Sequence, residues 1–437
     1  MLKTVKFGGS SLADAEQFKK AAAIVRDDLT RRYVVVSAPG KRNKSDEKIT
    51  DLLIQCQKMA SAGNDYSRPF QTVRDRFFGI CRDLGLKTDL EKEFSEIADR
   101  LSRGATPDYV ASRGEYLNGL LMADLLGFSF VDPKDGIVFD PSRRLDEKKT
   151  DEKLSELLRK YPRAVIPGFY GADESGEIVT FSRGGSDITG SLVARAVKAD
   201  LYENWTDVSG LLMADPRLVE NPKPISTVTY QELRELSYMG ASVLHEEATF
   251  PVSSAKIPIN IRNTNRPEDP GTMILPSAPS ASGNITGIAG RKGFSAVYLE
   301  KDRMNSEIGF VRKVLQVFEN YGISIEHLPS GIDAISVVAQ TKEMEGKVDR
   351  IFVDLQEAVQ PNRIALFEKL AIIAVVGRGM IRAQGTASKI FHALSKEEIN
   401  IRMIDQGSSE LNIIVGIEEK DYERAVRAVY AAFITEE

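Results

Sequence analysis

The chain has 437 residues, enough for about three domains of ordinary size. With 42% apolar and 28% charged residues it is built as a globular chain, and no apolar run approaches the length of a membrane span. Lysine and arginine total 58 against 63 aspartate and glutamate, neither sign is gathered into a block, and a nucleic-acid partner is therefore not expected. The start runs from Met1 through a short apolar strand into a glycine turn with no signal-peptide core, so a cytoplasmic location without membrane attachment is expected. Cys56 and Cys81 are the only cysteines, which excludes a disulfide framework and a thiolate metal cage. His245, His327 and His392 are far apart, which excludes a histidine metal site or a Ser-His-Asp triad. Chemistry falls to carboxylates, lysine, arginine, backbone amides and a borrowed cation.

Short β-branched runs alternate with long amphipathic stretches up to about residue 275, the pattern of an α/β sheet covered on both faces. Strands are expected at Val5–Phe7, Tyr33–Ser37, Phe128–Val131, Ala164–Ile166, Ile178–Phe181, Asp200–Asn204 and Ile259–Arg262. Helices are expected near 12–31, 47–62, 68–84, 89–102, 107–126, 149–160, 187–199 and 229–239. The small, Pro-punctuated segment 276–284 reads as the loop that ends the first domain, placed at 1–282. Beyond it the sequence repeats at an offset of 76 positions: Gly309-Phe-Val-Arg-Lys313 lies over Gly385-Thr-Ala-Ser-Lys389, Ile323–Ile325 over Ile399–Ile401, and Gly331 over Gly407. Each copy reads as a βαββ half of a ferredoxin-like unit, giving expected domains at 294–370 and 371–437 that pair edge to edge.

Lys6-Phe-Gly8-Gly9-Ser10-Ser11 places two glycines between a strand and a helix, where amides form an anion nest and Lys6 projects towards the same phosphates. No GxxxxGK[ST] loop occurs. A second glycine turn, Arg183-Gly-Gly-Ser186-Asp187, offers a planar guanidinium for a carboxylate, with Ser186 and Asp187 placed either to cap the helix or to meet a ligand. In Ser112-Arg-Gly-Glu115 a glycine inside a helix points to close packing or ligand approach, and Glu115 is a candidate ammonium partner as well as a candidate solvated residue. Trp205-Thr206-Asp207-Val208 and Asp215-Pro-Arg217 form a polar loop after an apolar strand, where open α/β sheets gather nucleotides.

In this order, with Gly168-Phe169-Tyr-Gly171 between them, these motifs resemble those of the aspartate kinase family, and Val376-Gly-Arg-Gly-Met380 with Gly385, Lys389 and Phe391 resembles that family's second ACT domain. The resemblance covers essentially the whole chain. It implies an amino-acid-kinase-type α/β/α sandwich followed by two ferredoxin-like (βαββαβ) ACT domains, with no fused dehydrogenase expected after Glu437. It implies transfer of the γ-phosphoryl of ATP to the β-carboxylate of L-aspartate, the first step towards lysine, threonine and methionine. Mg²⁺ would be carried with ATP rather than held by the protein. By the same resemblance Lys6 neutralises the transferred phosphoryl and Gly8, Gly9 and Ser10 cradle phosphates. Thr50, Glu115, Phe169, Arg183, Ser186 and Asp187 hold aspartate, with Lys6, Arg183 and Asp187 as the catalytic set, and Thr206, Asp207 and Arg217 surround ATP. Thr4, Ser209 and Ser242 depart from the family's usual residues, the last near the nucleotide.

The scarcity of histidine fits, because a β-carboxylate is already ionised at neutral pH and needs alignment and charge neutralisation rather than a base. The rivals are a glutamate or acetylglutamate kinase of the same fold, which the paired repeats disfavour, and a catalytically dead amino-acid sensor, which the retained Lys6, Arg183 and Asp187 disfavour. Feedback control by lysine, with or without threonine, is expected at Met304, Ser306, Glu307, Phe310, Ser330 and Asp333, where helix amides would take an α-carboxylate and Glu307 or Asp333 an ammonium. A homodimer or dimer of dimers through the ACT domains is expected.

Overall fold

The computed structural model describes residues 1–182, 184–240, 244, 246–279, 285–381 and 383–434. Arg183, Ser242, His245 and the boundary expected at 282 lie outside the described residues. Two compact units divide the chain: residues 1–211, 224–230 and 243–278 form the first, and residues 212–223, 231–242 and 279–437 the second. The division departs from a single cut at 282, since two segments ahead of it cluster with the C-terminal residues.

In chain order the first part runs β1 (Lys3–Phe7), α1 (Ala15–Asp27), β2 (Arg31–Val36), α2 (Ile49–Ser61), α3 (Ser67–Leu84), α4 (Leu90–Ser102), α5 (Pro107–Leu126), β3 (Ser129–Phe130), α6 (Glu147–Arg159) and β4 (Ala164–Pro167). Then come β5 (Tyr170–Ala172), β6 (Ile178–Thr180), α7 (Gly185–Ala196), β7 (Leu201–Thr206), β8 (Leu211–Leu212), β9 (Pro224–Ile225), β10 (Thr227–Thr229), α8 (Tyr230–Tyr238), α9 (Glu246–Ser254), β11 (Ile259–Asn263) and β12 (Thr272–Leu275). Eight strands form one sheet in the order β10-β12-β11-β7-β1-β2-β4-β3, with the six from β11 to β3 parallel. Alternation along each strand sends Val5, Phe7, Val34, Val36 and Trp205 to a core shared with α1 to α5, while Tyr33, Val35 and Ile166 meet Leu154, Leu192 and Ala248 on the other face.

Helix α1 is shorter than expected at both ends. Residues Gly9–Leu12 close a 3₁₀ turn, Asp14 caps the helix by accepting from the Gln17 amide at 3.0 Å, and Arg31 already belongs to β2. Helix α9, with Pro251 inside it, was not expected.

The second unit contains β13 (Gly287–Glu300), α10 (Phe310–Asn320), β14 (Ala334–Gln340), α11 (Thr341–Met344), α12 (Val348–Val359), β15 (Arg363–Val376), α13 (Thr386–Lys396), β16 (Ile401–Asp405), β17 (Asn412–Glu418) and α14 (Tyr422–Ile434). They form one five-stranded sheet, β14-β13-β15-β17-β16. Glycines Gly309 and Gly385 cap α10 and α13 at φ 83° and 88°, a left-handed conformation that a side chain at either position would strain. In the first copy the strand expected around Ile323–Ile325 is reduced to isolated bridges at His327 and Ser330.

The serial division into 294–370 and 371–437 needs correcting. Strand β13 pairs through Gly287–Lys292 with Ala371–Val376, and through Phe294–Glu300 with Arg363–Leu370. Val297 and Leu299 join the first copy's core, whereas Ile288 packs with Ile373, Val375, Ile413 and Val426 of the second. Each long strand thus serves both repeats, changing core at Gly293 (φ 88°) and at Lys369 (φ 55°).

Candidate active site

Five parallel strands end along one edge of the first sheet, and the loops leaving β1, β2, β4, β7 and β11 meet there. The Gly8 amide donates to the Trp205 carbonyl at 3.0 Å, and the Gly40 amide after β2 donates to Gly9 at 2.8 Å. Ser11 and Thr264, after β1 and β11, share a hydroxyl hydrogen bond of 2.7 Å. A Cβ on Gly9 would stand 3.0 Å from the Ala38 carbonyl and one on Gly40 2.5 Å from the Gly9 backbone, so the glycines are what let these loops touch.

Lys6 lies between Val5 and Phe7 and therefore faces away from their core, towards α7. Its register partner in β7 is Asn204, which faces the same way. Both side chains converge on Asp187 in the first turn of α7: the Lys6 Nζ is 2.6 Å from Asp187 Oδ1, and Asn204 Nδ2 donates to the same oxygen at 2.7 Å. The ammonium lies 3.8 Å from the position a Cβ on Gly8 would take, directly beside the glycine turn. Asn204 was not singled out from the sequence, although its place one residue before Trp205 in a strand of period two marks it as facing Lys6.

Opposite this cluster, Glu203 anchors β7 from the other side of the sheet. It receives Arg31 Nε at 2.7 Å, Lys3 Nζ at 3.1 Å and Trp205 Nε1 at 2.9 Å. Burial alone would raise its carboxyl, but Arg31 and Lys3 outweigh it and hold the group below its ordinary range.

On the β4 side, Phe169 takes φ 81°, unusual for an aromatic residue, and its amide donates to Thr189 Oγ1 at 3.0 Å. Gly168 and Gly185 make room for this turn, since a Cβ on them would meet Ser186 at 2.6 Å and the Phe169 ring at 2.7 Å. Glu115 is buried on α5, and its Oε2 has no partner. Burial pushes its carboxyl up to about 8 despite a hydrogen bond from the Ala38 amide and the nearby charge of Arg113. Gly114, beside it, lets α5 approach Ala38 and Ile49, the residue before Thr50.

The structure thus brings Lys6, Gly8, Gly9 and Asp187 into one cluster. It places Ser10, Thr50, Glu115, Ser186 and Thr206 on the elements around it and Phe169 in the turn between β4 and β5. Asp207 is exposed and accepts from Thr206 Oγ1 at 3.2 Å. Arg217 belongs to the second unit, where its Nη2 is 2.6 Å from Asp215. Thr4 is buried with an unpartnered hydroxyl, and Ser209 is fixed between Asp269 at 2.5 Å and Asn263 at 3.0 Å. Among the described residues no group of three or more His, Cys, Asp or Glu side chains gathers around a metal position, and no helix is long and apolar enough to cross a membrane.

The model of the amino acid kinase family matches residues 1–263, and an ACT-domain model matches 373–433. Aspartokinase 3 of Bacillus subtilis (strain 168) is 39% identical over 447 residues, which cover 99% of this chain and 98% of that protein. The chain belongs to the aspartokinase family. Among solved structures, aspartate kinase from Clostridium acetobutylicum superposes with a TM-score of 0.90 at 50% identity, covering 99% of both chains. E. coli aspartokinase III in complex with lysine and aspartate gives 0.74 at 25% identity, again covering 99% of both chains. The amino-acid-kinase fold with C-terminal ACT architecture expected from the motifs is therefore the fold of this family.

In the second unit the family's ACT motif does structural duty. Arg378 of Val376-Gly-Arg-Gly-Met380 meets the buried Glu232 with Nη1 at 2.8 Å from Oε2, while its amide donates to Oε1 at 2.9 Å. At the expected effector site Met304 and Phe310 are packed in the first repeat's core and present no face to a ligand. Glu307 already receives Lys301 at 2.5 Å and Lys313 at 2.8 Å, and Asp333 accepts from the Arg303 amide at 2.9 Å.

Proposed function

We propose that this chain transfers the γ-phosphoryl group of ATP to the β-carboxylate of L-aspartate, giving 4-phospho-L-aspartate and ADP. The observation that carries this reading is the Lys6 ammonium, 2.6 Å from Asp187 and beside the Gly8–Gly9 turn of a chain that belongs to the aspartokinase family. A β-carboxylate oxygen attacks the γ-phosphorus while the bond to the β–γ bridging oxygen breaks, and the electron pair leaves with ADP. The nucleophile is already ionised, so the site needs no base. Lys6 balances charge on the moving phosphoryl, and the amides of Gly9 and Ser10 hold its oxygens. Asp187 and Asn204 fix the ammonium. Mg²⁺ entering with the nucleotide would supply further charge neutralisation, and Asp187, whose Oδ1 meets Lys6 and Asn204, would be the carboxylate beside it.

Glu115, buried with an unpartnered oxygen, suits the substrate ammonium; Thr50, Phe169 and Ser186 line the same substrate, and Arg183 completes it at the α-carboxylate. Thr206 and Asp207, at the end of β7, serve ATP. The reaction opens the route to lysine, threonine and methionine, and lysine, with or without threonine, regulates it through the ACT repeats, which also join subunits. E. coli aspartokinase III has been captured with lysine and aspartate together, which supports both assignments. The kinase domain takes 1–211, 224–230 and 243–278, and the ACT pair lies within the remainder, the second ACT domain including 287–292.

Coupled detection of ADP release tests the reading. L-Aspartate should drive turnover with kcat/KM at least about a hundredfold above L-glutamate, because a misplacement near 1 Å costs about that much. Equal values for the two substrates, or ADP release independent of aspartate, would overturn it.

A further inference from the structure

We propose that Arg76 is a positioning residue for phosphoryl transfer, holding the glycine turn Gly9–Leu12 and the loop Gly40–Asp46 in one arrangement. Arg76 lies in the middle of α3, outside every motif that marks the site, and its side chain is 5% exposed. One nitrogen, Nη1, donates to the carbonyl of Ala13 at 3.2 Å and to that of Gly40 at 3.2 Å. The other, Nη2, donates to Asp46 Oδ2 at 2.6 Å. Ala13 is the residue that closes the Gly9–Leu12 turn, and Gly40 is the residue whose amide donates to Gly9. A single guanidinium therefore ties the far end of the phosphate turn to the loop seated on its near end.

Asp46 extends the clamp, accepting from the Arg42 amide at 2.9 Å and from Arg42 Nη2 at 3.2 Å, so both ends of the Gly40–Asp46 loop are fixed. Neighbouring residues on the same face of α3, Val73, Phe77 and Ile80, are buried and apolar. Core packing at this position needs only volume, which methionine would supply, whereas the planar fork is needed to reach two carbonyls and a carboxylate at once. Lysine cannot reproduce that geometry. The loop cannot retreat from the turn without losing the Gly40–Gly9 hydrogen bond, and it cannot come closer, because those backbones are already in contact. Arg76 thereby decides where the Gly9 and Ser10 amides point.

This inference rests on Gly8–Ser10 being the phosphate cradle. The full-length variants Arg76→Met, Arg76→Lys, Asp46→Asn and Gly9→Ala would be compared for kcat/KM with ATP, KM for aspartate and thermal midpoint. Arg76→Met should lower kcat/KM for ATP by about thirtyfold or more, the scale of a sub-ångström misplacement, while the aspartate KM moves less than about threefold. Arg76→Lys should fall between it and the wild type. Asp46→Asn, which keeps the loop's shape and removes the charge, should lose about tenfold and carries the test if Arg76→Met does not fold. A loss shared equally by both substrates and tracking the thermal midpoint would make Arg76 a stability residue only, and unchanged ATP kinetics in Arg76→Met and Asp46→Asn would refute the proposal outright. If Gly9→Ala leaves ATP kinetics unchanged, the cradle reading itself fails. If Gly9→Ala is impaired and the other variants are not, only the role of Arg76 falls.

Discussion

At the scale of single residues, the candidate site is a buried cluster of charges arranged by strand alternation. Lys6 reaches Asp187 because β1 and β7 place Lys6 and Asn204 in register on the face towards α7. Lys6→Met removes a charge used where negative charge develops, and kcat should fall by at least about a hundredfold, close to 3 kcal/mol. Calorimetric aspartate binding should survive in that variant; a kcat within about a factor of ten of wild type would end the assignment. Glu115 makes a separate prediction through pH. Its ordinary value is near 4.5 and burial raises it to about 8, so between those values the folded state holds a proton that the unfolded chain releases. The contribution to stability is fully present below about 4.5 and is lost as pH rises through 8. Glu115→Gln cannot ionise, so its urea midpoint should decline less than that of the wild type from pH 5.5 to 8.5, the difference being of the order of a few kcal/mol. Parallel pH profiles for the two proteins would contradict this. An ammonium partner also forces the carboxyl to ionise, so aspartate binding at pH 7 should release a proton, visible as a buffer-dependent calorimetric enthalpy.

At the scale of elements, glycines decide how closely helices approach strand ends. Gly168 leaves β4 against Ser186 at the start of α7, and a Cβ there would sit 2.6 Å from the Ser186 side chain. Gly168→Ala must shift either the Phe169 turn or the first turn of α7 that carries Asp187. The expected outcome is a fall of about tenfold or more in kcat/KM for aspartate with the protein still folded; unchanged kinetics would mean that the turn has slack the geometry does not show. Most of this architecture was legible in advance. The parallel strands and α2 to α7 follow from apolar period, and the two glycine turns from their position between strand and helix. What escaped depended on tertiary contact. The span 12–31 reads as one helix by composition, but the 3₁₀ turn at Gly9–Leu12 and the Asp14 cap set a later start, and pairing with β1 pulls Arg31 into a strand. Helix α9 carries Pro251, which argues against helix in any local reading. Arg76 was illegible for another reason, since it sits in no motif and its partners Ala13, Gly40 and Asp46 lie thirty or more positions away, whereas Asn204 was marked only by its alternation with Trp205.

At the scale of the whole molecule, the 76-position repeat foretold two copies of one unit, and the elements obey it, with β13 and β15, and α10 and α13, at matching positions. Self-comparison cannot reveal that each long strand divides between two cores, because that depends on pairing across the repeat. The consequence concerns regulation. A ligand on the first repeat bears on a sheet continuous with the second, so an effector that prefers one arrangement of that sheet is felt through the whole unit. Helix α10 begins after Gly309 with no side-chain cap; its first amide, that of Phe310, donates to the Glu307 carbonyl at 3.2 Å, so an α-carboxylate would have to use the amides that follow. Glu307 is the acid beside it, held below its ordinary range by Lys301 and then Lys313. A lysine effector must compete with those two ammonium groups for one carboxylate. If lysine is the regulator, Glu307→Gln should raise the lysine concentration for half-inhibition by about tenfold, within the 5- to 150-fold span that a coupling of 1–3 kcal/mol allows. Lys313→Met removes a competitor and should lower that concentration. Inhibition curves with lysine and threonine, singly and together, on these variants provide the measurement. Opposite shifts from the two substitutions support the site; identical curves would place the effector elsewhere, and no inhibition of the wild type by either amino acid would remove the regulatory proposal while leaving the kinase assignment standing.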